Sequence, residues 1–346
     1  MDHIKVLKRA WEIIWRYRVL WVFGIILALT TAGGGRGPQY SFNGEDFAPG
    51  GEFLPPAIPP EVSSALIAIG VGLACVIVIL TVASVVARYV AETSLIRMVD
   101  DYEEMGEKRS VRQGFRLGWS RTTWRLFLIN LLIDLPTALA FILLFALALA
   151  PLLLWITENK VAGIIGTVAA IGLFFLVLLL VIIVAAVLSL LKHFFRRVCA
   201  LEEVGVIESI RQGYGVVRQH LKDVAIMWLI MFGLGIGWMI VMIPVTILLV
   251  VVGLIMGGLP ALMVGGLASL AFKEAVPWLL AAAVGIPIFT LVVAVPLLFL
   301  GGLAEVFKSS VWTLTYRELR ALESLETEPG QLPELDTSGL QVAPIT

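Results

Sequence analysis

VAGIIGTVAAIGLFFLVLLLVIIVAAVLSLL, from Val161 to Leu191, contains no charged residue in 31 positions. As a helix rising about 1.5 Å per residue it exceeds the ~30 Å hydrocarbon layer of a bilayer, so this stretch reads as a membrane crossing. Five further apolar runs follow the same pattern, giving candidate spans over residues 18–32, 64–88, 126–156, 161–191, 224–252 and 277–303. Each is apolar around its whole circumference, as a helix facing lipid has to be.

The composition agrees with this reading. Of the 346 residues 59% are hydrophobic and 15% charged, with mean hydropathy +0.97, whereas a soluble domain is closer to a quarter charged. A net charge of −1 argues against nucleic-acid binding, which needs a basic excess to neutralise phosphates. The two cysteines, Cys75 and Cys199, exclude a disulfide framework and read as packing residues. His3, His193 and His220 stand apart from other ligand types, so neither a metal nor a cofactor is expected.

The basic residues lie between the spans and are unevenly divided. Residues 1–18 hold 5 Lys and Arg, 88–125 hold 8, 192–222 hold 6 and 304–346 hold 3; the rest of the chain has only Arg36, Lys160 and Lys273. The positive-inside rule then puts both termini and the second and fourth connecting segments in the cytoplasm, which requires an even number of crossings. Trp15, Trp21, Trp124 and Trp312 fall at the inner boundary and Trp155 and Trp278 at the outer one, where aromatic belts form. Trp238, mid-span, reads as helix packing.

Two segments complicate the count. Lys5, Lys8 and Arg9 precede an apolar core that ends at Leu29-Thr30-Thr31-Ala32, an arrangement shared with signal peptides. Gly253 to Phe272 is apolar but interrupted by Gly257, Gly258, Pro260, Gly265 and Gly266, and reads as a re-entrant or interfacial segment or a seventh span. Residues 33–63, rich in Gly and Pro, read as an external loop, and 323–346, acidic and Pro-containing, as a disordered cytoplasmic tail.

Self-comparison reveals a repeat. Ser110-Val111-Arg112-Gln113-Gly114-Phe115 recurs as Ser209-Ile210-Arg211-Gln212-Gly213-Tyr214, and Lys8-Arg9-Ala10-Trp11 keeps the same order of residue types. Each copy precedes an odd-numbered span. Apolar positions at helical spacing (Leu7, Trp11 and Ile14; Val111 and Phe115; Ile210, Tyr214 and Val217) oppose basic ones, so three basic amphipathic helices are expected in the cytoplasmic headgroup layer. Lys8, Arg9, Arg112, Arg116, Arg211 and Arg218 are the candidate lipid-headgroup contacts, each able to contribute about 1 kcal/mol near an anionic surface. Ordinary topogenic charge explains the same residues without a binding role.

The expected fold is therefore all-α: a single polytopic transmembrane bundle over residues 1–322, with about six spans as three pseudo-repeated hairpins (about 1–91, 105–197 and 204–318). The repeat makes the first helix part of this design, against the signal-peptide reading. An axis normal to the membrane would relate the hairpins. Whether the centre is packed or open, and the oligomeric state, are not written in the sequence.

Asp134 is the one acid deep within a span, in Leu131-Leu132-Ile133-Asp134-Leu135-Pro136, and is the candidate intramembrane polar site. The alternatives are a position near the inner interface, or capping of backbone opened by Pro136. The repeat puts Thr30 and Gly233 at equivalent positions, so Asp134 belongs to no symmetric ring. Gly233-Leu234-Gly235-Ile236-Gly237 and the Gly253 to Gly257 spacing would allow close helix approach. No nucleophile elbow, phosphate-binding loop, zinc-protease motif or dinucleotide fingerprint occurs, so no enzymatic activity is expected.

Val19-Leu20-Trp21-Val22-Phe23-Gly24-Ile25-Ile26-Leu27-Ala28-Leu29, the closing Leu314-Thr315-Tyr316-Arg317-Glu318-Leu319-Arg320 and the Ile-Arg-Gln-Gly-Tyr element together resemble a group of uncharacterised bacterial six-helix membrane proteins. That group includes the membrane domain attached to some glycerophosphodiester phosphodiesterases. The resemblance implies a helical bundle in the bacterial inner (plasma) membrane and carries over no catalytic residue, since no segment remains to form the phosphodiesterase barrel. The three-repeat layout is also similar to that of mitochondrial carriers, but their Pro, acid, base signature is missing, so the likeness is one of layout only. The expected role is a non-enzymatic membrane protein contacting lipids or partner membrane proteins; the competing one is a transporter or channel with a path between the hairpins.

Overall fold

The structure is a computed structural model and describes residues 1–32, 60–157, 159–272 and 275–327. Among these every regular element is a helix: α1 (His3–Arg16), α2 (Leu20–Ala32), α3 (Pro60–Met105), α4 (Val111–Gly118), α5 (Arg121–Leu149), α6 (Lys160–Leu201), α7 (Val206–Gln219), α8 (Leu221–Ala271) and α9 (Val276–Thr327). A 3₁₀ segment, Ala150–Thr157, extends α5. Five helices (α3, α5, α6, α8 and α9) are long and apolar enough to cross a membrane; α1 and α2, bent by 102° at their junction, make a sixth candidate if taken as one broken span. The most apolar windows of the five are at most 6% buried within the protein, so something other than protein has to cover them.

Local chemistry sets the breaks. Asp2 caps α1, its carboxylate accepting from the Ile4 and Lys5 backbone N–H groups at 3.1 Å. Gly106, with φ +70°, ends α3 in the left-handed conformation that glycine adopts without a steric penalty. Ser110 and Gln113 then start α4 with a reciprocal capping box. The first Ser-x-x-Gln element is thus a helix start, whereas the second, from Ser209, lies inside α7.

The span boundaries shift in several places. α2 has 13 residues, about 20 Å of helix, shorter than a full crossing over the described residues. α8 continues unbroken from Leu221 to Ala271, so the Gly- and Pro-rich stretch is neither a separate span nor a re-entrant loop. The physical reason is packing. A β-carbon on Gly253 would meet Val293 and Phe289, one on Gly257 the Gly285 carbonyl, and one on Gly265 the Ala281 β-carbon. The α8 glycines therefore let α9 approach closely along its length, and that contact holds the helix through Pro260. Gly233, Gly235 and Gly237, by contrast, meet nothing within 4 Å. Helix α9 runs to Thr327, past the expected start of the tail at 323, with Arg320 pairing to Glu323 at 3.0 Å. The loop expected over 33–63 lies outside the described residues as far as 59, α3 beginning at Pro60; the tail beyond 327 lies outside them too.

The packed core sits at the N-terminal, charged end of the bundle. Ile13, Tyr17, Leu20, Phe23, Leu95, Met98, Phe194, Met227 and Leu319 are buried there, drawn from α1, α2, α3, α6, α8 and α9. The C-terminal ends of α3, α6 and α9 form a triangle whose sides are ion pairs. Arg317 of α9 pairs with Asp100 of α3, and Arg320 of α9 with Glu202, the C-cap of α6. Arg97 of α3 meets Glu203 beyond α6 at 2.6 Å, and Arg196 of α6 meets Glu92 of α3 at 2.6 Å. The polar flanks of the spans thus pair with one another at this end of the bundle.

Candidate functional site

Just inside this triangle α2, α3, α5, α6, α8 and α9 enclose a cavity of about 700 Å³, within the ~300–1,000 Å³ range of small-molecule sites. Its depth follows from the sequence. Lys192 is the first charge after the uncharged run that ends at Leu191, and Asp134 lies eight positions into the span from Leu126, about 12 Å of helix. The cavity therefore lies at the ends of the long uncharged stretches and reaches in among them.

Three of the long helices place cations here: Arg88 from α3, Lys192 from α6 and Lys308 from α9. Arg196 and Arg197 of α6 add two more. Lys192 pairs with Asp134, Arg196 with Glu92 and Lys308 with Glu305, so three of the cations are matched. Arg196 also donates to Asn130 Oδ1 at 2.7 Å, which ties α6 to α5. Arg88 and Arg197 have no carboxylate partner among the described residues. Arg197 is 3% exposed; it donates to the His193 carbonyl at 2.6 Å and the Ser309 carbonyl at 3.2 Å, and its Nε is left without an acceptor. The lining also includes the apolar residues Leu27, Phe141, Leu188, Met231 and Phe232.

Asp134, the intramembrane candidate, thus lies on the cavity wall and in an ion pair with Lys192, 58 residues away. The pairing explains how a carboxylate is tolerated at that depth. Reading the sequence alone missed Arg88, Lys192, Lys308 and Arg197 as a group, treating them as topogenic charge. A signal was present: each is at or just after the end of the second, fourth or sixth span.

The six surface cations divide differently. Lys8, Arg112, Arg116, Arg211 and Arg218 are exposed and have no acidic partner among the described residues. Arg9 departs from the expectation of a free lipid contact: it is held by Glu103 at 2.7 Å and Glu12 at 3.4 Å, tying α1 to α3. The short helices also bury positions outside the expected apolar stripes. The small residue of each element is buried: Ala10, Gly114 and Gly213. A β-carbon on Gly114 would strike Met98 and Phe23, and one on Gly213 would strike Phe195. The aromatic that follows, Trp11, Phe115 or Tyr214, is 40–56% exposed. The helices pack through the small position and turn the aromatic outward.

Beneath α1, Tyr17 donates to the Arg109 carbonyl at 2.9 Å, and burial pushes its phenol up to about 12. Of the tryptophans, Trp15, Trp124, Trp155 and Trp278 are exposed as belt residues would be. Trp312 is buried and stacked on His193 at 5.0 Å, so it is a wall of the cavity, while Trp238, read as packing, is 39% exposed. Cys199 is buried as expected, whereas Cys75 is exposed on α3.

No curated protein and no solved structure matches the chain. A family of unknown function, DUF7544, matches residues 13–315, nearly the whole described bundle. The match gives no link to the membrane domain of glycerophosphodiester phosphodiesterases. With its helices long and apolar enough to cross a membrane and a charged cavity at one end of them, this chain belongs to the DUF7544 family.

Proposed function

We propose that this is a non-enzymatic integral protein of the bacterial inner membrane, with its charged end in the cytoplasm, that gathers anionic lipid of the inner leaflet around three surface helices. One observation carries the reading: α1, α4 and α7 each bury a small residue (Ala10, Gly114, Gly213) and expose the next aromatic beside unpaired cations. Such a helix puts its ring at the acyl boundary and its bases at phosphate level. The threefold repeat of the element supports a shared role, and the excess of Lys and Arg at this end supports the orientation. The resemblance to a phosphodiesterase membrane domain adds a lipid-related setting to the same proposal; partner membrane proteins would dock on the same surface.

The test is lipid selectivity. In reconstituted protein, spin-labelled phosphatidylglycerol is expected to be motionally restricted several-fold more than phosphatidylcholine, and the preference to collapse in the Arg112→Glu/Arg211→Glu variant. Equal restriction of the two lipids in the unmodified protein would refute the reading. A second reading, transport of a small solute or lipid between the hairpins, is favoured by the cavity that reaches Asp134.

A further inference from the structure

We infer that the cavity bounded by Arg88, Lys192, Arg197 and Lys308 is a binding site for a phosphate-bearing group, one that takes the headgroup of a phosphomonoester lipid. The inference goes beyond the surface reading and does not depend on it, since none of these residues lies on α1, α4 or α7.

Charge is the first argument. Within the cavity the pairs Lys192–Asp134, Arg196–Glu92 and Lys308–Glu305 cancel, and Arg88 and Arg197 remain as two cations in excess. A phosphomonoester carries about −1.5 to −2 at neutral pH and so matches that excess. The second argument is an unmet hydrogen-bonding capacity. Arg197 Nε and Ser309 Oγ are both buried, both belong to residues on the cavity wall, and neither has a partner among the described residues. Two buried donors without a partner thus belong to residues beside one cavity, one of them on a guanidinium, whose plane suits phosphate oxygens.

The third argument is the shape of the lining. Helix register places apolar lining further from the ion-pair triangle than the charges: Leu188 precedes Lys192 by four positions on α6, and Phe141 follows Asp134 by seven on α5. A free phosphate would use only the charged part; an acyl chain attached to it would use the apolar lining too. The site thus distinguishes an amphiphile from its headgroup alone.

The full-length protein, purified in a non-ionic detergent, would be titrated calorimetrically with dihexanoyl phosphatidic acid, inorganic phosphate and dihexanoyl phosphatidylcholine. Saturable binding of the phosphatidic acid is expected, tighter than that of inorganic phosphate by at least tenfold, with none for the phosphatidylcholine. Arg88→Gln and Ser309→Ala, which leave the Arg197 bonds to backbone carbonyls in place, are each expected to weaken it about tenfold or more. Inorganic phosphate binding as tightly as the lipid would overturn the headgroup assignment and leave a free anion as the ligand. Absence of binding by both phosphates, or unchanged affinity in both variants with intact thermal unfolding, would overturn the site itself. The surface-lipid proposal is read instead in the restriction of phosphatidylglycerol by the unmodified reconstituted protein, so either proposal can fail while the other stands.

Discussion

A β-carbon placed on Gly24 would come within 2.4 Å of the carbonyl oxygen of Gly302, so α2 crosses α9 at a point where neither backbone can carry a side chain. This crossing seats the short first apolar helix against the last long one, although the two residues lie at opposite ends of the chain. Gly24→Leu is expected to cost about 1–3 kcal/mol through overpacking. Gly235→Leu, where nothing lies within 4 Å, should stay within about 0.5 kcal/mol of the parent. Thermal unfolding in detergent ranks the two; equal effects would show that the crossing is not a tight contact.

The ion-pair triangle makes a different kind of prediction. Arg196 and Glu92 are 15% and 12% exposed in their side chains, so removing one partner leaves an uncompensated charge. Arg196→Met alone should cost about 3–5 kcal/mol, and adding Glu92→Leu should recover much of it. A double-mutant cycle measured by unfolding reads the coupling directly. Arg97→Met faces a Glu203 that is 69% exposed and should cost about 1 kcal/mol or less.

Tryptophan environments separate the belt from the bundle. In variants retaining a single tryptophan, brominated lipid should quench Trp124, 63% exposed, far more strongly than Trp312, 4% exposed and stacked on His193. Comparable quenching of the two would place Trp312 at the lipid boundary and remove it from the cavity wall.

The proposed orientation is open to labelling. Cysteines introduced at Lys108 and Val204, in the connections before α4 and α7, should react with an impermeant maleimide from one face of the membrane, and a cysteine at Asn159 from the other. Labelling of all three from one side would contradict the crossing pattern. Native Cys199, buried beneath the α7 connection, should stay unreactive until the protein unfolds.

The repeat illustrates how far the residues alone can be read. Ser110 to Phe115 marks the start of α4, because capping is an interaction over three residues, whereas Ser209 lies inside α7, its hydroxyl donating to the Gly205 carbonyl at 2.8 Å. Periodicity places Phe115 and Tyr214 on a membrane-facing stripe, but it does not show that partner helices come close enough to bury Gly114 and Gly213. A stripe of apolar residues cannot distinguish a protein partner from a lipid one, since both are apolar.

What the sequence by itself determined is that this is a helical chain with long uncharged stretches, because partition into hydrocarbon is a sum over about twenty adjacent residues and needs no knowledge of the rest. Only the tertiary structure decided where the flanking charges go. Arg317 meets Asp100 across 217 positions, Lys192 meets Asp134 across 58, and Arg88 and Arg197 are left without a carboxylate partner among the described residues around one cavity. Those outcomes depend on which helix ends converge and how closely their backbones pack, and that is set by contacts such as Gly24 on Gly302, between residues remote in the chain.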